Sequence, residues 1–477
     1  MTLRLPIDCL NEILEWLEDD KMTLYSCLLV NRFWCEISVR ILWKNYFGLD
    51  NKQRLKVFNT LISCLPKDSK ELIKYKNENI ILTQTLPLFN YPSFCKILSI
   101  GEIIIMTKLF LESERLIHSE SLRDLIGREI LKMFMKQIPS LKKLIYYSID
   151  GEIRISKSIT LTQFLGAKES LMDLTELRCS SDITSEFFNQ LSQICHNIQT
   201  LIIEIEYSHI SNGLKDLISS QNNLKYLSLT DPLLKDMDWS GIISSLTKHS
   251  ITLTKLHIQV NGNKELSFIN KFKNLQELFI LFESYGSSNS FNKHFKDLQY
   301  TKFDQLQILK LDGGCPKFEI LVKFLENNGK NLKEFHVNGY GSLNLIIAKY
   351  CPNLLSLYTL FPKNEMETLK FIFNNCQKLE SIKILCGEGY LTEKEILKIV
   401  AIHSPKNFHE LKLYNFDISG SDFEPFFINW KDRVPLKSIS FIIECHLNVK
   451  RENIELLEKY KNLGIIKKFE INVKGLY

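Results

Sequence analysis

No Cys-x-x-Cys pair occurs in the 477 residues, and the 12 cysteines are scattered from Cys9 to Cys445 without the clustered spacing of a zinc site. They read as buried, reduced thiols, and no metal or cofactor is expected. A long apolar run is also missing. The most apolar stretch, around Ile97 to Leu111, is interrupted by Glu102 and Lys108 and falls short of the roughly 20 residues a spanning helix needs. No membrane partner is expected from it. The start, Met1-Thr2-Leu3-Arg4-Leu5-Pro6, lacks the basic-then-apolar run of a secretory signal. The expected location is therefore intracellular, cytoplasmic or nuclear or both. Nor is there a large surplus of one charge: 60 Lys and Arg stand against 55 Asp and Glu, a small excess that, spread over the whole chain, gives no footprint for nucleic acid.

Catalytic signatures are missing too. Gly387-x-Gly389 and Gly339-x-Gly341 have Thr392 and Asn344 where a dinucleotide fingerprint needs its third glycine. Gly329-Lys330 lacks the earlier glycine of a phosphate loop. The ten histidines include no His-Glu-x-x-His, and Cys195-His196 and Cys445-His446 are isolated pairs. The expectation is that the chain is not an enzyme.

What is present is ordinary globular composition, 45% hydrophobic and 24% charged, with two contrasting patterns. The first lies in residues 5 to 47. Leu10, Ile13, Leu14 and Leu17 fall at i, i+3, i+4 and i+7, which puts them on one helical face, and Pro6 suits the helix entrance. After Asp19-Asp20-Lys21 the helical spacing restarts at Leu24, Cys27 and Leu28, and a third segment carries Trp34, Ile37 and Ile41 toward Leu42-Trp43. Three short helices are expected. A unit of roughly 40 residues buries little surface, so it leans on a partner or on the rest of its chain. The apolar surplus of Leu5, Leu10, Ile13, Leu24, Val30 and Trp34 accordingly reads either as an interface for a partner's helices or as packing against the next segment.

The ordered anchors Leu5-Pro6, Glu12-Ile13-Leu14, then Leu24, Cys27, Val30, Arg32 and Trp34, then Leu42-Trp43, resemble the F-box. The resemblance covers under a tenth of the chain. It implies binding to a Skp-type adaptor and, through it, to a cullin-RING ubiquitin ligase, with Leu5, Pro6, Leu10, Ile13, Leu14, Leu24, Val30 and Trp34 as the adaptor-binding set.

The second pattern runs from about residue 139: leucine, two residues, leucine, one residue, leucine. Clear copies are NLKYLSL, TLTKLHI, NLQELFI, QLQILKL and NLKEFHV, and weaker ones begin at Leu141, Leu174, Ile198, Leu354, Leu379, Phe408, Leu436 and Ile466. The spacing averages about 27 residues, inside the range of leucine-rich repeats. Each copy joins a short strand to a helix-like stretch such as FEILVKFLENN or METLKFIFNN. One such unit cannot bury its own apolar face, so neighbours must stack. The expected fold class is α/β: a three-helix module in 1–47, a helical linker or cap in 48–138, and a curved repeat solenoid in 139–477 with parallel strands on its concave side and helices outside. The pattern resembles the irregular repeats that follow F-boxes in many eukaryotic proteins.

The residue between the last two leucine positions marks the centre of the expected concave ladder. It reads Arg178, Ile202, Ser228, His257, Phe279, Lys310, His336, Tyr358, Lys383, Lys412, Ser440 and Glu470. His257, Lys310, His336, Tyr358, Lys383 and Lys412 are the candidate target-binding residues. The later basic run favours an acidic or phosphorylated target, while the competing reading is that lysines keep an exposed strand face solvated. Two functions from different classes follow: an adaptor that selects an unidentified target protein for ubiquitin ligation, or a repeat scaffold or receptor unrelated to ubiquitin.

Overall fold

The spacing Leu-x-Leu at the end of each copy puts two apolar side chains on the same face of an extended segment, and each copy forms a strand. The computed structural model describes residues 6–46, 48–78, 80–82, 86–116, 120–146, 160–206, 210–230, 240–260, 266–282, 295–339, 342–415, 423–445 and 451–473. The chain divides into two compact units, Met1–Lys225 with Asp238–Leu246, and Tyr226–Met237 with Thr247–Tyr477. Both junctions expected from sequence, at 47 and 138, fall inside the first unit.

That unit opens with α1 (Ile7–Glu15), α2 (Lys21–Cys27) and α3 (Arg32–Leu42). Asp20 caps α2 by accepting from the Thr23 N–H, and Asn31 caps α3 by accepting from the Trp34 N–H at 3.0 Å. Leu10, Leu14, Leu24, Cys27, Ile37 and Ile41 close on one another as a core. Next come α4 (Asn51–Cys64), started by an Asp50/Gln53 capping box, then α5 (Lys67–Lys76), α6 (Ile100–Ser113) and α7 (Glu120–Gln137).

The strands β1 (Ile97–Ser99), β2 (Lys143–Tyr146), β3 (Glu176–Ser180) and β4 (Thr200–Glu204) pair in chain order, all parallel. The ladder therefore begins inside the segment in which no repeat was legible. With three residues and one fully buried leucine, Leu98, β1 is too short to display the repeat pattern. The Lys44 carbonyl just past α3 accepts from the N–H groups of Lys96 and Ile97, at 3.1 and 3.2 Å. Arg54 on α4 meets the buried Glu102 on α6 through two hydrogen bonds of 3.1 and 2.8 Å. The helical module is thus bonded to the first strand of its unit.

The second unit carries β5 (Tyr226–Thr230), β6 (Lys255–Val260), β7 (Glu277–Phe282), β8 (Ile308–Asp312), β9 (Glu334–Val337), β10 (Ser356–Thr359), β11 (Ser381–Leu385), β12 (Glu410–Tyr414), β13 (Ile439–Cys445) and β14 (Ile466–Val473). Each pairs in parallel with the next. The expected helical stretches are helices at Phe318–Asn328 and Met366–Asn375. Repeat leucines such as Leu227, Leu256, Leu278, Leu309 and Leu357 are at most 1% exposed. Burial of that kind contributes about 1.5–3 kcal/mol per side chain. Both units are therefore leucine-rich-repeat-like stacks of strand and helix.

Polar side chains just upstream of the repeat leucines hold successive copies together. In the first unit, Gln221 accepts from the Ile198 N–H at 2.9 Å and donates to the Cys195 and Leu217 carbonyls, both at 2.8 Å. In the second, Asn328 accepts from the Phe303 N–H at 2.7 Å and donates to the Thr301 and Phe324 carbonyls at 2.8 and 3.0 Å. Cys376 donates its thiol to the Cys351 carbonyl at 3.4 Å. Those cysteines are repeat parts, and burial raises the Cys195 and Cys376 thiols to about 12, leaving them protonated at neutral pH.

One turn admits only glycine. Gly313, after β8, has φ +72°, and a Cβ there would lie 1.7 Å from the Phe282 carbonyl oxygen. Gly313→Ala is expected to destabilise the second unit by about 2–4 kcal/mol, read from a urea transition. A shift under about 0.5 kcal/mol would show that the turn relaxes freely.

Candidate functional site

The adaptor-binding set divides by burial. Leu10, Leu14 and Leu24 are 4%, 1% and 0% exposed and form the interior of the three-helix module, so they do not belong to a free face. Trp34 packs partly buried against that interior. Pro6 is exposed, as are Ile13 (48%) and Val30 (57%), and Leu5 lies outside the described residues. The physical reason is the narrowness of the inward stripe on a helix as short as α1: Leu10 and Leu14, four apart, fill it, and Ile13 falls on its flank. Sequence reasoning missed the exposed apolar companions Trp16 (90%), Met22 (76%), Tyr25 (49%) and Leu29 (89%). Their signal was available, since Met22, Tyr25 and Leu29 are spaced i, i+3, i+7, offset from the buried Leu24 and Cys27.

On the strands of the second unit, the expected central column is in register. Ser228, His257, Phe279, Lys310, His336, Tyr358, Lys383 and Lys412 are successive Cα partners across β5 to β12. Beyond β12 the expectation needs correction: Lys412 pairs with Ile442, and Ser440 pairs with Glu410. The apolar pair Ile439 and Phe441 mimics the pair that matters, Phe441 and Ile443. A two-residue slip keeps every side chain on its face, so alternation alone does not reveal it.

No family model matches the chain, and no curated protein sequence matches it. Among solved structures it is similar to the leucine-rich repeat-containing protein LegL7 from Legionella pneumophila, at 15% identity and a TM-score of 0.34, over 55% of this chain and 93% of that one.

The column is not the free basic stripe that its one-letter reading suggests. Lys310 pairs with Glu334 at 3.0 Å, and Lys412 pairs with Glu410 at 2.9 Å, where the Ser381 hydroxyl also donates at 2.8 Å. His257 uses both ring nitrogens, toward the Tyr226 hydroxyl and the Glu277 carboxylate, each at 2.8 Å. That bond to His257 and one from Lys255 hold the Glu277 carboxyl down at about 2, against the effect of burial. Lys383 lies over two rings, 4.6 Å from the centroid of Tyr358 and 3.7 Å from that of Tyr414. The carboxylates come from the neighbouring column, the residue just before the second leucine position of each copy: Glu277, Glu334 and Glu410. Reading two columns together would have found them.

Between β9 and β12 the face sinks into a depression of about 220 Å³ lined by Glu334, His336, Ser356, Tyr358, Lys383 and Tyr414, with Ser381, Lys412, Phe335 and Leu357. Burial holds the His336 imidazole down at about 4; Asp312 and Glu334 oppose that shift, and Lys383 and Lys310 reinforce it. The unfolded chain takes up this proton near the ordinary value of 6.5, the folded chain only near 4. Stability is therefore full above that window and falls as the pH drops through it. The whole shift would correspond to about 3 kcal/mol, and partial exposure of the ring reduces the expectation to about 1–2 kcal/mol. Urea midpoints compared at about pH 7 and about pH 4.5 should show this loss, and His336→Gln should remove most of it. An unchanged pH slope in the variant would refute the assignment.

Among the described residues no group of three His, Cys, Asp or Glu side chains could hold a metal ion, and no helix is long and apolar enough to cross a membrane.

Proposed function

We propose that the chain is a substrate-recognition adaptor of a Skp-cullin-F-box ubiquitin ligase: the three-helix module docks a Skp-type adaptor and, through it, a cullin-RING ligase, and the repeats hold a target protein. The leucine-rich-repeat-like fold is that of a protein-interaction scaffold, and the ubiquitin-ligase role is the finer reading placed on it. One observation carries that finer reading. Within residues 6 to 30, a module whose interior is already filled by its own leucines still exposes Ile13, Trp16, Met22, Tyr25, Leu29 and Val30. Apolar surface of that density on so short a stretch costs solubility unless a partner covers it. The order of residues around it is the one that resembles the F-box.

The bonds of Lys44 to β1 and of Arg54 to Glu102 support the same reading. The Lys44 carbonyl fastens the three-helix module to β1, and the Arg54–Glu102 pair fastens α4 to α6, both within the first unit. The test is retention of a purified Skp-type adaptor by the full chain. Failure to retain it would leave a repeat scaffold with no tie to ubiquitin.

A further inference from the structure

We propose that the cleft between the three-helix module and the entry of β1 holds a phosphate group, either free or as the monoester of a small molecule. The cleft measures about 350 Å³ and is walled by Arg40 on α3, Lys44 just past it and Lys96 just before β1, with Glu15 of α1 as its one carboxylate. None of the exposed apolar side chains assigned to adaptor docking lines it, so the inference stands apart from that reading.

The fold forces these cations together. The Lys44 carbonyl accepts from the Lys96 N–H at 3.1 Å, which sets the two residues side by side although their ammonium groups repel. Lys44 is answered by Glu15 at 2.9 Å and Glu18 at 3.9 Å. Lys96 is not: its ammonium donates to the Ser140 carbonyl at 3.0 Å and forms no ion pair among the described residues. The one carboxylate that favours its charge, Asp173, is held by Lys142 at 3.4 Å and by the Ser140 hydroxyl at 2.7 Å. Burial and the charges of Lys142 and Lys44 outweigh it, so the Lys96 ammonium is held below its ordinary range. Arg40 has no carboxylate partner among the described residues either; its guanidinium lies 5.9 Å from the centroid of Phe94, which also lines the cleft.

With the neighbours outside the lining included, Arg40, Lys44, Lys96 and Lys142 stand against Glu15, Glu18 and Asp173, and the unanswered pair is Arg40 and Lys96. A phosphate carries about −1.5 to −2 at neutral pH and several acceptor oxygens, so one such group meets a planar guanidinium and an ammonium at once. Ile37 and Ile41, part of the module's core, border the same cleft and reduce the screening of that pairing. Bound there, the anion ties α3 to the entry of β1 and offsets the repulsion around Lys96.

The test uses the full chain, with inorganic phosphate and phenyl phosphate as ligands and acetate as the control anion, titrated in a calorimeter at constant ionic strength. At least one phosphate should bind saturably with a Kd below about 1 mM, at least roughly tenfold tighter than acetate. Tighter binding of phenyl phosphate assigns an ester, and equal or weaker binding assigns the free anion. Arg40→Met with Lys96→Met, which keeps the aliphatic stems, should weaken phosphate binding at least roughly tenfold. Lys67→Met, at an exposed place on α5 in the same unit, should leave it unchanged. Saturating phosphate should also raise the thermal midpoint of the wild-type chain and not that of the double variant. Arg40→Met alone, at an exposed position, decides the matter should the double variant not fold, with an expected loss of roughly threefold or more. No saturable binding of either phosphate up to about 10 mM, equal affinity for acetate, or wild-type affinity in the Arg40 variants would overturn the proposal.

Discussion

Ile13→Asp combined with Val30→Asp is expected to abolish retention of a Skp-type adaptor while leaving the chain folded. Both side chains are about half exposed, so a carboxylate at either place keeps its water in the free protein and loses it only when a partner closes over the site. Each buried, unpaired carboxylate costs several kcal/mol at an apolar interface, and every 1.4 kcal/mol is about tenfold in affinity, so the pair should weaken binding by more than about a hundredfold. Leu14→Asp or Leu24→Asp should behave differently. Those positions are 1% and 0% exposed within the module's own core, and a charge there should melt the helices whether or not an adaptor is present. Pull-down and circular dichroism on the three variants separate the outcomes. If the Ile13/Val30 double variant still retains the adaptor at wild-type level, the exposed face is not the docking surface.

Asn328→Leu should be the most damaging conservative-volume change in the second unit, at about 3–5 kcal/mol. The Asn328 side chain is fully buried, and its three hydrogen bonds satisfy the Phe303 N–H and the carbonyls of Thr301 and Phe324. Leucine fills the space but leaves these main-chain groups unpaired away from water, and each costs about 1–3 kcal/mol, less than additively. Asn331→Ala offers the comparison, because Asn331 is exposed and donates once, to the Asp304 carbonyl at 3.2 Å. Its loss should cost no more than about 1 kcal/mol. Urea transitions of the two variants should therefore differ widely. Equal, small shifts would mean that water replaces the amide and that the repeats do not depend on it.

Much of the interior was legible from residues. Every one of the thirteen leucine copies lies at a strand, and the stretches FEILVKFLENN and METLKFIFNN are helices. Period-two and period-3.6 spacing are local properties, and a side chain's face follows from them directly. The two-residue slip at β13 and the extra strand β1 were not legible, because each depends on which neighbour a segment pairs with.

The candidate faces were legible as residue types and opaque as surfaces. The sequence by itself determined that leucines recur at repeat spacing, that residues 5 to 47 carry helical spacing and are rich in apolar side chains, and that lysines, two histidines and a tyrosine share one column. Only the tertiary structure decided which of those leucines are spent inside the module, leaving Ile13 and Val30 outside and taking Leu10, Leu14 and Leu24 in. Only it decided that Lys310 and Lys412 are answered by Glu334 and Glu410, and that Lys383 lies over two tyrosine rings. The reason is range. A helix or strand period is set by neighbours a few residues apart, whereas the Lys310–Glu334 pair and the Lys383–Tyr358 contact join residues 24 and 25 positions apart that neighbouring strands carry alongside, and Glu410, two residues from Lys412, meets it only because both face the same side of β12.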